Sequence, residues 1–398
     1  MYSSQQTLVS KDNEKEKWWH NHRFRIISIF LIILTSFIVI LSLMLKFIVF
    51  PSMKPETIVI TMNTQHQLKW TNTNNNMNIG RNFHTASVLT DGKVLVTGGF
   101  FQDILNSVEL YDPSTDDWST TTNMNFARYM HTASLMKNGN VLVTGGNDGF
   151  TGHNSTEFYD LSRQTWTIVG NMNYGRIQHT ASILTNGKVL VTGGKYGNDY
   201  LNSAELYDPS KETWTTTDHM NDARVEHTET MLANGKILVT GGHNIRGLNT
   251  AELYDPSTET WTTTGKMNNA RYSHTASLLN DGKVLVTGGL NQGRSLNSAE
   301  LYDPLTETWT MTTSMNYTRW HAKASVLKNG KVLITGGAND HTLNSVELYD
   351  PSLQIWTTGY NMHDARHSHT ATVLNNNKVL VIGGRNSYMT LNNAELYS

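Results

Sequence analysis

The chain has 398 residues, 31 Lys+Arg against 33 Asp+Glu, and no cysteine. Disulfides, thiolate metal sites and thiol nucleophiles are therefore excluded. The balanced charge, with no basic run after residue 65, excludes a nucleic-acid footprint there. A domain of this size buries enough core to do without disulfides, so the missing cysteines do not fix the compartment.

The first predicted element is apolar. Ile26 to Leu45 is a run of 20 residues without charge. At about 1.5 Å per residue it spans a bilayer core of roughly 30 Å, which predicts a transmembrane helix over 26–45. The competing reading is a cleaved signal peptide. The run exceeds the usual apolar length of about 7–15 residues, and no small-x-small cleavage motif follows it in KFIVFPSMK. Lys11, Lys15, Lys17, Arg23 and Arg25 precede the run, and only Lys46 and Lys54 lie close behind it. The positive-inside rule then makes residues 1–25 a cytoplasmic tail, with the rest extracellular or lumenal, as in a single-pass signal-anchor protein. Trp18 and Trp19 suit an interfacial anchor. Residues 46–65 read as a stem, with Pro51, Pro55 and a short apolar stretch at Ile58–Ile60.

From residue 66 the chain repeats. Glycine pairs recur seven times at steps of 47 or 48 residues, from Gly98-Gly99 to Gly383-Gly384, and Trp70, Trp118, Trp166, Trp214, Trp261, Trp309 and Trp356 keep the same beat. Such a period marks a repeat architecture. In residues 271–317 four strand-like stretches alternate with turn signals. Strand A is HTASLL. Asp281-Gly282 closes a hairpin, expected to be a tight two-residue turn with positive φ at both central residues. Strand B is KVLVTGG, a variable loop leads to strand C (SAELY), and Asp-Pro turns the chain into strand D (ETWTMTT). Pro113, Pro209, Pro256, Pro304 and Pro351 all fall in that turn, where no ladder hydrogen bond is lost.

Closure follows from the offset of the tryptophans. Strand D around Trp70 (Gln67–Thr73) precedes the first glycine pair. The last unit offers only His369–Leu374, Lys378–Gly384 and Ala394–Tyr397. Three strands at the end and one at the start make a seventh four-stranded blade, so residues 66–398 are expected to form an all-β, seven-bladed β-propeller, closed into a ring that hides the sheet edges. The glycine pair, the Tyr of AELYDP, the Trp of TWT and the Arg before strand A are similar to the kelch repeat. That resemblance implies strand A nearest the axis and strand D outermost.

Residues present in every copy are expected to serve the fold, and this covers the glycine, Trp and Tyr series. Arg81, Arg128, Arg176, Arg224, Arg271, Arg319 and Arg366 match in number Glu109, Glu157, Glu205, Glu252, Glu300, Glu347 and Glu395. Buried Arg–Glu bridges are expected, because a buried charge needs a partner. His84, His131, His179, His227, His274 and His369 open strand A and are read as hydrogen-bonded strand-start residues, not as a metal site, because neighbouring blades hold them too far apart. The exceptions to the repeat are candidate site residues. Blade 6 reads RWHAKAS, with Trp320, His321 and Lys323, and Glu229 replaces an alanine in the fourth copy.

Sequence variation within the chain gathers on one face. In an up-and-down blade the B–C and D–A loops emerge together. The B–C loops differ (FFQDILN, NDGFTGHN, KYGNDYLN, HNIRGLN, LNQGRSLN, ANDHTLN, RNSYMTLN), as do the two residues after each Arg (NF, YM, IQ, VE, YS, WH, HS). Loops on a rigid scaffold are where binding is built. Tyr196, Arg246, Arg294, Arg385 and Tyr388 complete the candidate ligand-binding set. Asn154 and Asn316 head glycosylation sequons on the same face. The expected function is a non-catalytic, membrane-anchored binding or scaffold module for a protein or glycan, without cofactor. The alternatives are a carbohydrate-active propeller of the sialic-acid isomerase kind, with Glu229 and nearby arginines, or an intracellular kelch adaptor, which the flanking charges oppose. Copper oxidases with this type of fold use a Tyr–Cys cross-link, which this chain cannot form.

Overall fold

The computed structural model describes residues 69–398. The tail, transmembrane helix and stem assigned to residues 1–65 lie outside the described residues. Among the described residues no helix is long and apolar enough to cross a membrane.

Seven four-stranded antiparallel sheets follow one another. Blade 1 runs A to D as Thr85–Val88, Val94–Thr97, Val108–Asp112 and Asp117–Thr120. In blade 7, Thr370–Val373, Val379–Ile382 and Ala394–Tyr397 are completed by Trp70–Asn72, with Trp70 opposite Tyr397. The strand expected over Gln67–Thr73 is thus present in shorter form. The A strands touch their neighbours all round the ring, including Thr370–Val373 against Thr85–Val88, so the ring is closed and strand A is innermost.

Strand B is VLVT, ILVT, VLIT or VLVI and is buried at every position. A continuous apolar run suits a strand covered on both faces. The cover is the next blade. Leu232, Leu238, Ala251 and Leu253 of blade 4 pack with Val284, Val286 and Tyr302 of blade 5. Blades 7 and 1 are joined in the same way, through Leu380, Ile382, Met77, Val94 and Val96. The core is therefore a circle of interfaces between blades.

The A–B hairpin differs from the expected two-residue turn. In blade 1 the Gly92 amide donates to the Leu89 carbonyl and the Leu89 amide to the Lys93 carbonyl. Only Gly92, at φ 87°, is left-handed. This is a three-residue loop with a bulge at glycine. Asp91 belongs there because its side chain accepts the Lys93 amide at 3.1 Å. Asn377 fills the glycine position of blade 7 at φ 65°. The glycine pair has a different cause. A Cβ on Gly98 would stand 2.4 Å from the Arg128 carbonyl oxygen of the next blade, and the Gly99 amide donates to that oxygen at 2.9 Å.

Candidate functional site

The charged series are consumed by the fold. Each Arg meets its Glu within one blade, at 2.7, 3.0, 2.7, 2.6, 2.8, 2.8 and 2.6 Å from blade 1 to blade 7. Both partners are buried. Arg224 also donates to the Gly241 and Thr250 carbonyls, and Glu252 accepts the Asn221 and Asp222 amides of the D–A loop. Burial lowers the Arg224 pKa and the attraction of Glu252 raises it again. The histidines join blades. His131 Nε2 lies 3.0 Å from Thr85 Oγ1 and 3.1 Å from Thr97 Oγ1 of the preceding blade. Burial and the nearby arginines hold its pKa well below the ordinary histidine value. Tyr of strand C and Trp of strand D stack at 5.0–5.2 Å in every blade.

The variable segments do share one face. The residue after each Arg bridges to the residue after the glycine pair, as in Asn82 with Phe100 and Trp320 with Ala338, which joins the D–A and B–C loops of a blade. The second variable residue forms a ring. Phe83, Met130, Gln178, Glu226, Ser273, His321 and Ser368 are all left-handed, with φ of 49 to 54°. Each amide donates to the carbonyl of the ring member in the preceding blade, at 3.0–3.4 Å, and Phe83 closes the circle on Ser368. Seven strained residues are thus held by mutual hydrogen bonds around the axis.

Beneath this ring the bore opens into a cavity of about 510 Å³, lined by Phe83, Met130, Gln178, Glu226, His321 and the inner strands with Glu229 and Lys323. Glu226 accepts from Gln178 Nε2 and Ser273 Oγ, and its carboxylate is 4.0 Å from His321 Nε2. Burial, Lys323 and His367 push His321 down to about 3, so its ring is neutral. Burial pushes Glu229 up to about 7, although Thr180, Ser182 and Thr192 favour the carboxylate. Its Oε1 is buried without a hydrogen-bond partner. Lys323 has wetted surface within the bore, but protein atoms surround it, and burial lowers its pKa.

The model for the KLHDC2/KLHL20/DRC7 Kelch-repeats domain matches residues 84–264 and 215–384. The chain belongs to the kelch-repeat family. No curated protein sequence matches it. Among solved structures, this kelch propeller is similar to a fungal alcohol oxidase of the AA5 family in complex with copper. The TM-score is 0.70 at 19% identity, over 83% of this chain and 76% of that one. It is also similar to YjhT, with a TM-score of 0.56 at 15% identity, over 72% of this chain and 99% of that one. These likenesses are to the fold. The residues do not fit a copper centre: no three His, Cys, Asp or Glu among the described residues are grouped to hold a metal.

The kelch propeller divides the candidate residues into two groups. Glu229, His321 and Lys323 line the bore. Trp320 packs beside them, 4.6 Å from His321 and 5.7 Å from His367 between ring centres. Tyr196, Arg246, Arg294, Arg385 and Tyr388 lie outside the bore on exposed B–C loops, which in blades 3 and 5 form small hairpins, Lys195–Tyr196 with Asp199–Tyr200 and Leu290–Asn291 with Arg294–Ser295. Glu229 and Lys323 form no salt bridge among the described residues: Glu229 contacts hydroxyls, and burial alone shifts Lys323. Both sequon asparagines serve the fold. Asn154 donates to the Met172 carbonyl at 3.1 Å, with Thr156 buried behind it, and Asn316 donates to Glu347 at 3.0 Å. Sequence reasoning missed Gln178 and Glu226. The signal was the second residue of each variable pair, whose left-handed backbone is hidden because none of the seven is Gly or Asn.

Proposed function

We propose that the kelch propeller is a non-catalytic binding module that docks a protein through its B–C and D–A loop face. Residues 26–45 would hold it at a membrane, with the propeller outside the cell or in a lumen. The supporting observation is the chemistry of the loop tips. Phe150, Ile245 and Tyr388, on blades 2, 4 and 7, are 87, 97 and 94% exposed. Exposed aromatic and aliphatic side chains at the tips of loops that share one face suit a protein interface, where a few large anchors carry most of the energy. The anchoring rests on the uncharged run and its basic N-terminal flank.

The test is proximity labelling with the full-length chain, wild type against the triple variant Phe150→Ser/Ile245→Ser/Tyr388→Ser, alongside a glycan array. Partners are expected to lose labelling in the variant by roughly tenfold or more, since each truncated anchor costs about 1–2 kcal/mol. The melting temperature is expected to stay unchanged. A sugar that binds and is turned over would sink the non-catalytic reading. Labelling identical in wild type and variant would remove the loop face from it.

A further inference from the structure

The bore holds two ionisable side chains that the repeat does not need. Lys323 stands where all six other blades carry threonine, in four of them as the Thr of HTAS; Glu229 stands where all six others carry alanine. They lie on the inner strands of blades 6 and 4 (Lys323–Val326 and Thr228–Met231), with strand Thr275–Leu278 of blade 5 between them. Neither pairs with an opposite charge among the described residues, and they do not pair with each other.

Neither substitution helps the fold. Threonine at position 323 would place a hydroxyl beside Thr335, as Thr85 stands 2.7 Å from Thr97 in blade 1. In blade 6 Thr335 keeps only a long contact to the Lys323 carbonyl, at 3.5 Å, and His369 at 3.0 Å. An alanine at 229 would leave no orphaned oxygen. Glu229 instead carries a buried Oε1 without a partner. An orphaned buried carboxyl oxygen, costly by itself, and an ammonium without a counter-charge line one cavity and are complementary to one kind of guest.

We infer that the bore binds a small amphoteric solute, whose anionic group pairs with Lys323 and whose ammonium hydrogen-bonds to Glu229. The cavity of about 510 Å³ admits molecules of that size. Its mouth sorts them by polarity. Gln178, Glu226, Ser273, His321 and Ser368 make a polar arc on blades 3 to 7, and Phe83 and Met130 close the remaining side. The mutual hydrogen bonds of the ring fix the backbone that carries those side chains, so the frame of the entrance is built before the ligand arrives. This site is separate from the loop tips, and the loop-tip triple variant leaves it intact.

The experiment is calorimetric titration and ligand-observed NMR on the full-length chain in detergent, with glycine, L-glutamate, L-lysine and phosphoethanolamine as probes and acetate and glycerol as controls. At least one amphoteric probe is expected to bind, and neither control. Lys323→Thr and Glu229→Ala each install the residue the other blades carry, so both are expected to fold, with melting temperatures at or above wild type. Each is expected to weaken binding by roughly 10–100-fold, the loss of a hydrogen bond to a charged group. Glu229→Gln, which keeps the shape, is expected to weaken an ammonium probe as well. The inference is overturned if no probe binds more tightly than about 10 mM, if acetate binds as well as glycine, or if the two reversions leave affinity unchanged.

Discussion

Arg224 shows how one residue type can be both costly and indispensable. Its guanidinium is buried, and Glu252 lies 2.6 Å away. Removing Glu252 leaves the buried guanidinium with only the partly exposed Asp222 carboxylate, 3.8 Å away, as counter-charge. Glu252→Ala is therefore expected to destabilise the propeller by roughly 3–5 kcal/mol, read as a lowered urea midpoint; an unchanged midpoint would rule out the pair as a register lock. Glu229 gives the opposite sign. Its carboxyl keeps its proton in the folded chain up to about 7, against 4.5 when free. The unfolded chain binds fewer protons in that window, so folding stability is lost as pH rises through it. The melting temperature of Glu229→Gln relative to wild type is expected to climb from pH 4.5 to pH 7 and then level off, a gain on the order of 1–3 kcal/mol. A difference independent of pH would mean that the carboxyl ionises normally.

Among the strands, Trp70–Asn72 carries the greatest consequence for its length, because it fastens the end of the ring to its beginning. Trp70 stacks on Tyr397 at 5.1 Å, and its Nε1 donates to the Tyr360 carbonyl at 2.7 Å, which ties blade 7 to blade 6. Trp118, the corresponding residue of blade 1, has a buried Nε1 with no partner. Phenylalanine keeps the ring and removes the donor. Trp70→Phe is expected to cost about 1 kcal/mol more than Trp118→Phe, which loses no hydrogen bond. Paired thermal melts check this, and equal costs would show that the indole donor does not contribute to closure. The A–B hairpins teach a different lesson about elements. Asp-Gly and Asn-Gly marked the correct turn in six blades. The loop nevertheless has three residues, because Asp91 and its equivalents serve as acceptors for the amide two residues on and not as left-handed residues.

At the scale of the whole molecule, each blade is covered by its neighbours, and stability belongs to the interfaces. That is why a rigid frame can carry divergent loops, and why the loop-tip triple variant is expected to lose partners without losing its melting temperature. The blade number, the strand order, the closure by Trp70 and the Arg–Glu pairing were legible in the sequence. Each is dictated by a local rule repeated seven times, and repetition exposes the rule. The functional geometry was legible only in part. Glu229 and Lys323 stood out as departures from the repeat, but that they share one bore and stay unpaired depends on how seven inner strands meet around an axis. The ring of Phe83, Met130, Gln178, Glu226, Ser273, His321 and Ser368 was less visible still. None of its residues is Gly or Asn, and each adopts a left-handed backbone because the amide of the next blade holds its carbonyl. The sequence by itself determined the blades and their number, since their causes lie within about 48 residues. The tertiary structure decided the bore and its mouth, since their causes lie between blades.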